Sequence, residues 1–263
     1  MYEDKKMNIP KVIHYCWFGG NPLPKTAKKC MDSWKKYCPD YKIVQWDESN
    51  FNVNCTPYCE KMYNGKKWAF LSDCARLKII YEHGGVYLDT DVELVKPLDD
   101  LLHNKCFMGL DTTFLVNNGL GLGAEKGNDF IKENIDFYDN INLSELKEPL
   151  LNSPITTDLL RIRGNLNTES NEVQCVGGVT IYPPEYFCAK HTHTGEIVIT
   201  PNTYAIHHFT LSWASDEERQ STIKRWNKHK KERLKKFPKL LLRKIIGDST
   251  VDNIKRTLFK NKF

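Results

Sequence analysis

Asp89, Thr90 and Asp91, with Glu93 two residues further on, are the side chains in this 263-residue sequence best suited to chemistry. Two carboxylates at i and i+2 of a regular strand point to one face, where they repel unless a cation or water lies between them. If the strand ends at Leu88, the pair can instead converge on one metal from its C-terminal tip, the edge at which open α/β sheets bind ligands. Hard oxygen donors suit Mg²⁺ or Mn²⁺, with phosphate oxygens completing the octahedron. A DxD alone is also what a solvated acidic turn looks like. Upstream, the segment SDCAR holds Asp73 and Arg76 at i and i+3, able to offer an acceptor and a bidentate donor to one ligand from one helix face. Taken alone, that pair equally describes a surface ion pair. Late in the chain, His207-His208-Phe209-Thr210-Leu211-Ser212-Trp213 brings imidazoles that can ligate Mn²⁺, with a serine hydroxyl and an indole N–H that can donate to phosphate.

These residues need elements to position them. The segment 10–18, PKVIHYCWF, has strand character and is broken by Gly19-Gly20-Asn21-Pro22. Helical character follows over 24–37, then a second strand over Tyr41–Trp46, the rhythm of a βαβ unit. Phe70, Leu71, Cys74, Leu77, Ile80 and Tyr81 recur at spacings of three and four, which predicts a helix over Lys67–Glu82 closed by Gly84-Gly85. A short strand, Val86–Leu88, runs directly into the acidic triplet. Further strands are expected at Cys106–Leu110, Val179–Tyr182 and Glu196–Thr200, and helices at Asp129–Tyr138 and Ile155–Arg163. A polar loop is expected at 164–175. From Ser215 the chain reads as helical and basic, broken at Pro238 and near Gly247.

The block from Trp68 to Asp100, WAFLSDCARLKIIYEHGGVYLDTDVELVKPLDD, resembles the DxD sugar-binding region of family 32 glycosyltransferases. That family includes bacterial capsular and lipopolysaccharide sugar transferases and is distantly similar to the large clostridial glucosylating toxins. IPKVIHYCWFGGNPLP is similar to its first strand, and YPPEYFCAK and YAIHHFTLSW to its closing segments. The resemblance covers most of residues 9–213, with 111–176 poorly matched. It implies an α/β, GT-A-type Rossmann-like domain with a mainly parallel mixed sheet, a nucleotide-sugar donor (UDP by preference), a divalent cation and retention of anomeric configuration. It further implies that Asp89 and Asp91 hold the metal, with a late histidine, His208, as a third ligand. Asp73 and Arg76 would bind the donor sugar and, with Asp91, carry catalysis. Trp17, Tyr87, Ser212 and Trp213 would complete the donor site, Trp17 either stacking on the base or filling the core. The implied acceptor is a glycan or lipid-linked oligosaccharide of surface-polysaccharide synthesis, or a protein, as for the toxins.

Bulk properties set limits. Hydrophobic residues at 40% and charged residues at 27% describe a globular chain long enough for one sizeable α/β domain, expected over 1–214, with a basic helical extension over 215–263. No stretch approaches the roughly 20 apolar residues of a membrane span. The opening MYEDKKMNIPKV lacks a signal-peptide core, so the expected location is cytoplasmic, peripheral at the inner face of the cell membrane. Nine scattered cysteines without a CxxC pair are expected to be reduced thiols. Residues 224–263 carry 15 Lys/Arg against 3 Asp/Glu, leaving 23 against 30 in the rest. Basic residues interleaved with Leu and Ile at helical spacing suit an anionic membrane surface, or a solvated helix packing some leucines. No nucleic-acid motif accompanies the charge, and nucleic acid is not expected as a partner. Two rivals remain open. A haloacid-dehalogenase-type phosphatase also uses DxD, but its signature continues D-x-D-x-T where this chain has Glu93. A carbohydrate- or membrane-binding adaptor would keep the fold without turnover.

Overall fold

The computed structural model describes residues 6–212 and 214–246, with 234–246 as backbone alone. In chain order the elements are β1 (Val12–Cys16), α1 (Lys25–Tyr37), β2 (Lys42–Trp46), α2 (Pro57–Asn64), α3 (Trp68–His83), β3 (Gly85–Tyr87), β4 (Val92–Leu94), β5 (Cys106–Leu110), β6 (Val116–Asn117) and β7 (Leu122–Ala124). There follow α4 (Asp129–Asp139), α5 (Asn152–Arg163), β8 (Gln174–Val176), β9 (Val179–Tyr182), α6 (Pro184–Phe187), β10 (Ala205–His207) and α7 (Asp216–Ile246).

Among the described residues, one sheet of eight strands runs β2-β1-β3-β7-β5-β9-β8, with β6 on β5. β2, β1, β3, β5 and β9 share a direction, and β6, β7 and β8 oppose it, which is the mainly parallel mixed sheet expected of an α/β chain. Side chains alternate across it as strand geometry requires. Ile13, Tyr15, Val86 and Phe107 enter one core with α1 and α6, while Cys16, Tyr87, Cys106 and Met108 enter another with α2, α3 and α4. Because β1, β2 and β3 are parallel, Trp17 and the DxD follow C-terminal ends of neighbouring strands.

α3 is apolar around most of its circumference, and its buried residues include Asp73 and Arg76. A helix so placed is held by packing rather than by one amphipathic face. It ends at Gly84 (φ +66°) and Gly85 (φ +109°). A Cβ at Gly85 would sit 2.8 Å from the Val12 carbonyl oxygen, so the chain can enter β3 directly beside β1 only with glycine there.

Two expectations fail. Glu196–Thr200 is not a strand among the described residues: it makes one bridge, Lys190 with Ile197, and Ile197, Val198 and Ile199 stand 45–59% exposed. β propensity supplies no second edge to pair with. α7 continues through Pro238 to Ile246, since a proline removes one backbone donor without ending a helix whose flanking turns favour it. Gly247 lies outside the described residues. The chain divides into two compact units, Met1–Thr192 with Ile197–Ala214, and His193–Glu196 with Ser215–Phe263. Within the second, Arg225 Nε donates to the His193 carbonyl at 3.1 Å and Arg233 pairs with Glu196. All nine cysteines are free thiols, seven of them buried. No helix among the described residues is long and apolar enough to cross a membrane.

Candidate active site

The site begins with a buried arginine. Arg76 is 2% exposed on α3, and its Nη2 lies 2.8 Å from Asp73 Oδ1 and 3.0 Å from Asp89 Oδ1. The i, i+3 spacing of the sequence therefore becomes an internal ion pair, and Asp89 at the tip of β3 joins it. The guanidinium also lies over the Tyr87 ring, 4.7 Å from its centroid, and the Tyr87 hydroxyl donates to Asp89 Oδ1 at 3.2 Å. Arg76 and Tyr87 thus both engage Oδ1.

Asp89 Oδ2 is turned the other way. Thr90 and Asp91 form a turn closed by the Val92 amide donating to the Asp89 carbonyl at 3.0 Å. That turn takes Asp91 out of strand alternation and buries it. Asp91 Oδ2 accepts from the Thr210 amide at 2.8 Å and from the Thr210 hydroxyl at 2.9 Å, while Oδ1 faces His207 Nε2 at 3.2 Å. His207 Nε2 is also 4.0 Å from Asp89 Oδ2. One ligand atom each from Asp89, Asp91 and His207 lies within 4.8 Å of the others.

His208 was the expected third ligand; the structure brings His207 instead. β10 pairs antiparallel with β4 in the register Ala205 to Leu94, Ile206 to Glu93 and His207 to Val92. The two-residue period puts His208 on the Glu93 side, where its Nε2 lies 2.8 Å from Glu93 Oε2. His207 takes the opposite side, toward the carboxylates.

Electrostatics follow from burial. It pushes the Asp73 carboxyl up to about 7, with Arg76 opposing the rise and Asp89 adding to it. Burial also raises Asp89 against the pull of Arg76. For Asp91, burial is outweighed by His207 and by the Thr210 amide and hydroxyl, which hold the carboxyl well below the usual range. Burial disfavours the His207 imidazolium, but Asp91 and Asp89 overcome this and raise it. The Arg76 guanidinium is shared between Asp73 and Asp89, and the His207 imidazole faces both Asp89 and Asp91. Two carboxylate oxygens and an imidazole nitrogen are a donor set that Mn²⁺ or Mg²⁺ accepts, so the residues present fit such an ion.

The remaining expected residues are more dispersed. Trp17 is half-buried just past β1, its Nε1 donating to the Asn21 carbonyl at 2.5 Å. Ser212 is exposed in the turn that follows Leu211. Trp213 lies outside the described residues. Four residues that the sequence did not single out, and Thr210 from the late cluster, belong to this centre. Asn118 Oδ1 accepts from Arg76 Nη1 at 2.9 Å, and Asn152 Nδ2 donates to Asp73 Oδ1 at 2.9 Å. Thr210 holds Asp91, and Lys190 Nζ donates to the His208 carbonyl at 2.6 Å. Gly119 gives its carbonyl to the Asp89 amide at 3.2 Å. The run NNGLGLG around Gly119 was the available signal, since closely spaced glycines mark close backbone approach.

Comparison with known proteins adds the following. The chain is 32% identical over 139 residues to inositol phosphoceramide mannosyltransferase 3 of Schizosaccharomyces pombe, covering 50% of this chain and 37% of that protein. It is 34% identical over 100 residues to an uncharacterised glycosyltransferase of Acanthamoeba polyphaga mimivirus, covering 36% of this chain and 40% of that one. It spans between a third and two fifths of the length of the curated relatives it matches. Among solved structures, PaToxG glycosyltransferase aligns with a TM-score of 0.49 at 20% identity, over 59% of this chain and 69% of that one. The galactosyltransferase LgtC, in complex with donor and acceptor sugar analogs, aligns with a TM-score of 0.42 at 15% identity, over 83% and 94%. Residues 24–108, which contain Asp73, Arg76, Tyr87, Asp89 and Asp91, match the family of glycosyltransferase sugar-binding regions containing a DXD motif.

Proposed function

We propose that this protein is a metal-dependent glycosyltransferase of GT-A type that moves a sugar from a nucleotide diphosphate to a glycan or lipid-linked oligosaccharide. The observation that carries this reading is the convergence of Asp89, Asp91 and His207 within 4.8 Å beside the buried Asp73–Arg76 pair. The DXD and this pair both fall inside the matched region 24–108, which supports a sugar nucleotide as the ligand.

In this reading Asp73 and Arg76 hold hydroxyls of the donor sugar, and Trp17 lies against the base. Asp89, Asp91 and His207 would hold the cation. Mn²⁺ or Mg²⁺ would supply Lewis-acid stabilisation of the negative charge that develops on the diphosphate. The anomeric C–O bond breaks with its electron pair going to the diphosphate, and the sugar passes through an oxocarbenium-like state. The acceptor oxygen attacks from the same face and its proton goes to the departing phosphate, so configuration is retained. UDP-sugars are the proposed donors. The mannosyltransferase name of a fungal relative supports including mannosyl donors and lipid acceptors in the test, alongside the surface-polysaccharide acceptors. An anionic membrane surface, engaged through 224–263, is the proposed site of work, at the cytoplasmic face.

The test is a panel of UDP- and GDP-sugars assayed for Mn²⁺-dependent hydrolysis and transfer. Asp91→Asn keeps an acceptor for Thr210 and removes the charge. It should lower turnover by about 100-fold or more, with circular dichroism showing that the variant is still folded at the assay temperature. Turnover that survives both chelation and this substitution would overturn the metal role. Hydrolysis of p-nitrophenyl phosphate would favour a phosphatase, and donor binding without turnover an adaptor.

A further inference from the structure

Arg76 is held by more than its two carboxylates. From its Nη1 a chain of hydrogen bonds runs in one direction through the interior. Arg76 donates to Asn118 Oδ1 at 2.9 Å, and Asn118 Nδ2 donates to Thr156 Oγ1 at 3.3 Å. The Thr156 hydroxyl donates to Asn134 Oδ1 at 3.0 Å, and Asn134 Nδ2 donates to the Phe130 carbonyl at 2.9 Å. Asn118 and Asn134 are fully buried and Thr156 is 1% exposed. Because a guanidinium only donates and the chain ends on a backbone carbonyl, the orientation of each amide and hydroxyl along it is set. One turn earlier on the same helix, Asn152 donates to Asp73 Oδ1 at 2.9 Å. Thr157, beside Thr156, accepts the Val116 amide at 2.9 Å and so fastens β6 to α5.

Two adjacent threonines turned into a core are a poor choice for packing alone. Threonine is a weak helix former, and burying its hydroxyl costs about 1–3 kcal/mol unless the hydroxyl is bonded. Valine would fill the same volume. Among the described residues, the hydroxyl of Thr156 is the only link between Asn118 and Asn134, and without it Asn118 keeps its bond to Arg76 but loses its own anchor.

We propose that α5 is the positioning element for donor-sugar recognition. Asn152 fixes Asp73, and Thr156, through Asn118, holds Nη1 of the Arg76 guanidinium, whose Nε donates to the Ser72 carbonyl at 3.2 Å. Asn152 and Arg76 both engage Asp73 through Oδ1, which leaves Oδ2 without a hydrogen bond among the described residues and available to a donor hydroxyl. Asn152 and Thr156 are i and i+4 on one helix face, so a single rotation or shift of α5 moves both halves of the pair together. None of these α5 residues touches the donor; they act through Asp73 and Arg76. This inference rests on the transferase reading, since it assigns the pair to a sugar.

The experiment compares Thr156→Val, which keeps shape and removes the hydroxyl, with Thr156→Ser, which keeps the hydroxyl. The Arg76 Nε–Hε resonance, identified by its loss in Arg76→Lys, reports guanidinium order whether or not the enzyme turns over. Thr156→Val should broaden or shift that resonance and lower kcat/KM for the donor by about tenfold or more, with Mn²⁺ affinity unchanged. Thr156→Ser should restore both. If Thr156→Val lowers only the melting temperature, with the resonance and kcat/KM as in wild type, α5 is merely structural and the inference fails. Asn152→Ala, at a half-buried position, tests the Asp73 arm should the valine variant not fold; unchanged donor kcat/KM there also overturns the inference. If wild type itself hydrolyses no nucleotide-sugar, it is the transferase reading that fails, and the Arg76 resonance still decides whether Thr156 orders the guanidinium.

Discussion

A methyl group at position 119 would collide with Asp89 Oδ2 and stand 2.9 Å from Arg76 Nη1. Both are atoms the proposed chemistry depends on, and neither can retreat. Asp89 Oδ1 is already engaged by Arg76 and Tyr87, and Arg76 is 2% exposed. Gly119→Ala should therefore push the Asp89 carboxylate off its position at a cost of about 1–3 kcal/mol in stability. Donor hydrolysis should fall about 100-fold, because displacements near 1 Å have effects of that order on catalysis. Chemical denaturation and initial rates measured on one preparation check both halves. Wild-type rates in the alanine variant would mean that Asp89 is not where the reaction needs it. Asp73 and Arg76 were legible as a pair because three-residue spacing in a periodic helix means one face. Gly119 was not, because the side chain it must avoid lies 30 positions away in sequence. The choice between His207 and His208 failed for a related reason: a strand's face is decided by its register against a partner, and neither β4 nor β10 was visible as a strand.

At the scale of elements, the junction of β1, β2 and the end of α3 is built around a neutral histidine. His14 is 3% exposed; Trp46 Nε1 donates to its Nδ1 at 3.0 Å, and its Nε2 lies 3.0 Å from the Gly84 carbonyl. Those two bonds require the tautomer with hydrogen on Nε2. Burial lowers the His14 pKa from 6.5 to about 4; the Gly84 carbonyl resists, and the neighbouring charges of His83 and Lys42 push the same way as burial. In the unfolded chain the proton binds from about 6.5 downward, in the folded one only near 4. The stabilisation is therefore complete above pH 6.5 and is lost as pH falls toward 4, about 3 kcal/mol in all. Carboxylates titrate in the same window, so the quantity to measure is the stability difference between wild type and His14→Gln. It should shrink by about that amount between pH 6.5 and 4, and a constant difference would mean that His14 is protonated in the native state. The βαβ opening and α3 were readable because their apolar periods of two and 3.6 are long enough to be distinct. Strands of two or three residues, such as β4, β6, β7 and β10, carry too few alternations to register. Glu196–Thr200 has the composition of a strand but no edge to join.

For the molecule as a whole, charge is divided unevenly along the sequence. Residues 224–263 hold 15 of the 38 Lys/Arg and only 3 of the 33 Asp/Glu, while the rest of the chain is acidic on balance. The first turn of α7 carries Asp216, Glu217 and Glu218, which complement a helix N-terminus, and the basic residues follow. A basic residue near an anionic bilayer contributes about 1 kcal/mol, and this attraction decays over a Debye length of about 8 Å at physiological ionic strength. Apolar insertion, by contrast, is scarcely screened by salt. The expected outcome is that the full chain floats with vesicles containing phosphatidylserine at low salt and not with neutral vesicles. Removing 224–263 should abolish flotation while donor hydrolysis is retained. A loss of binding at high salt would assign it to charge, and retention would assign it to inserted leucine and isoleucine side chains. A full chain that stays unbound to anionic vesicles at low salt overturns the membrane proposal and leaves the basic segment as a solvated face. The transferase reading does not depend on that outcome, because the residues that carry it end at His207 and Thr210.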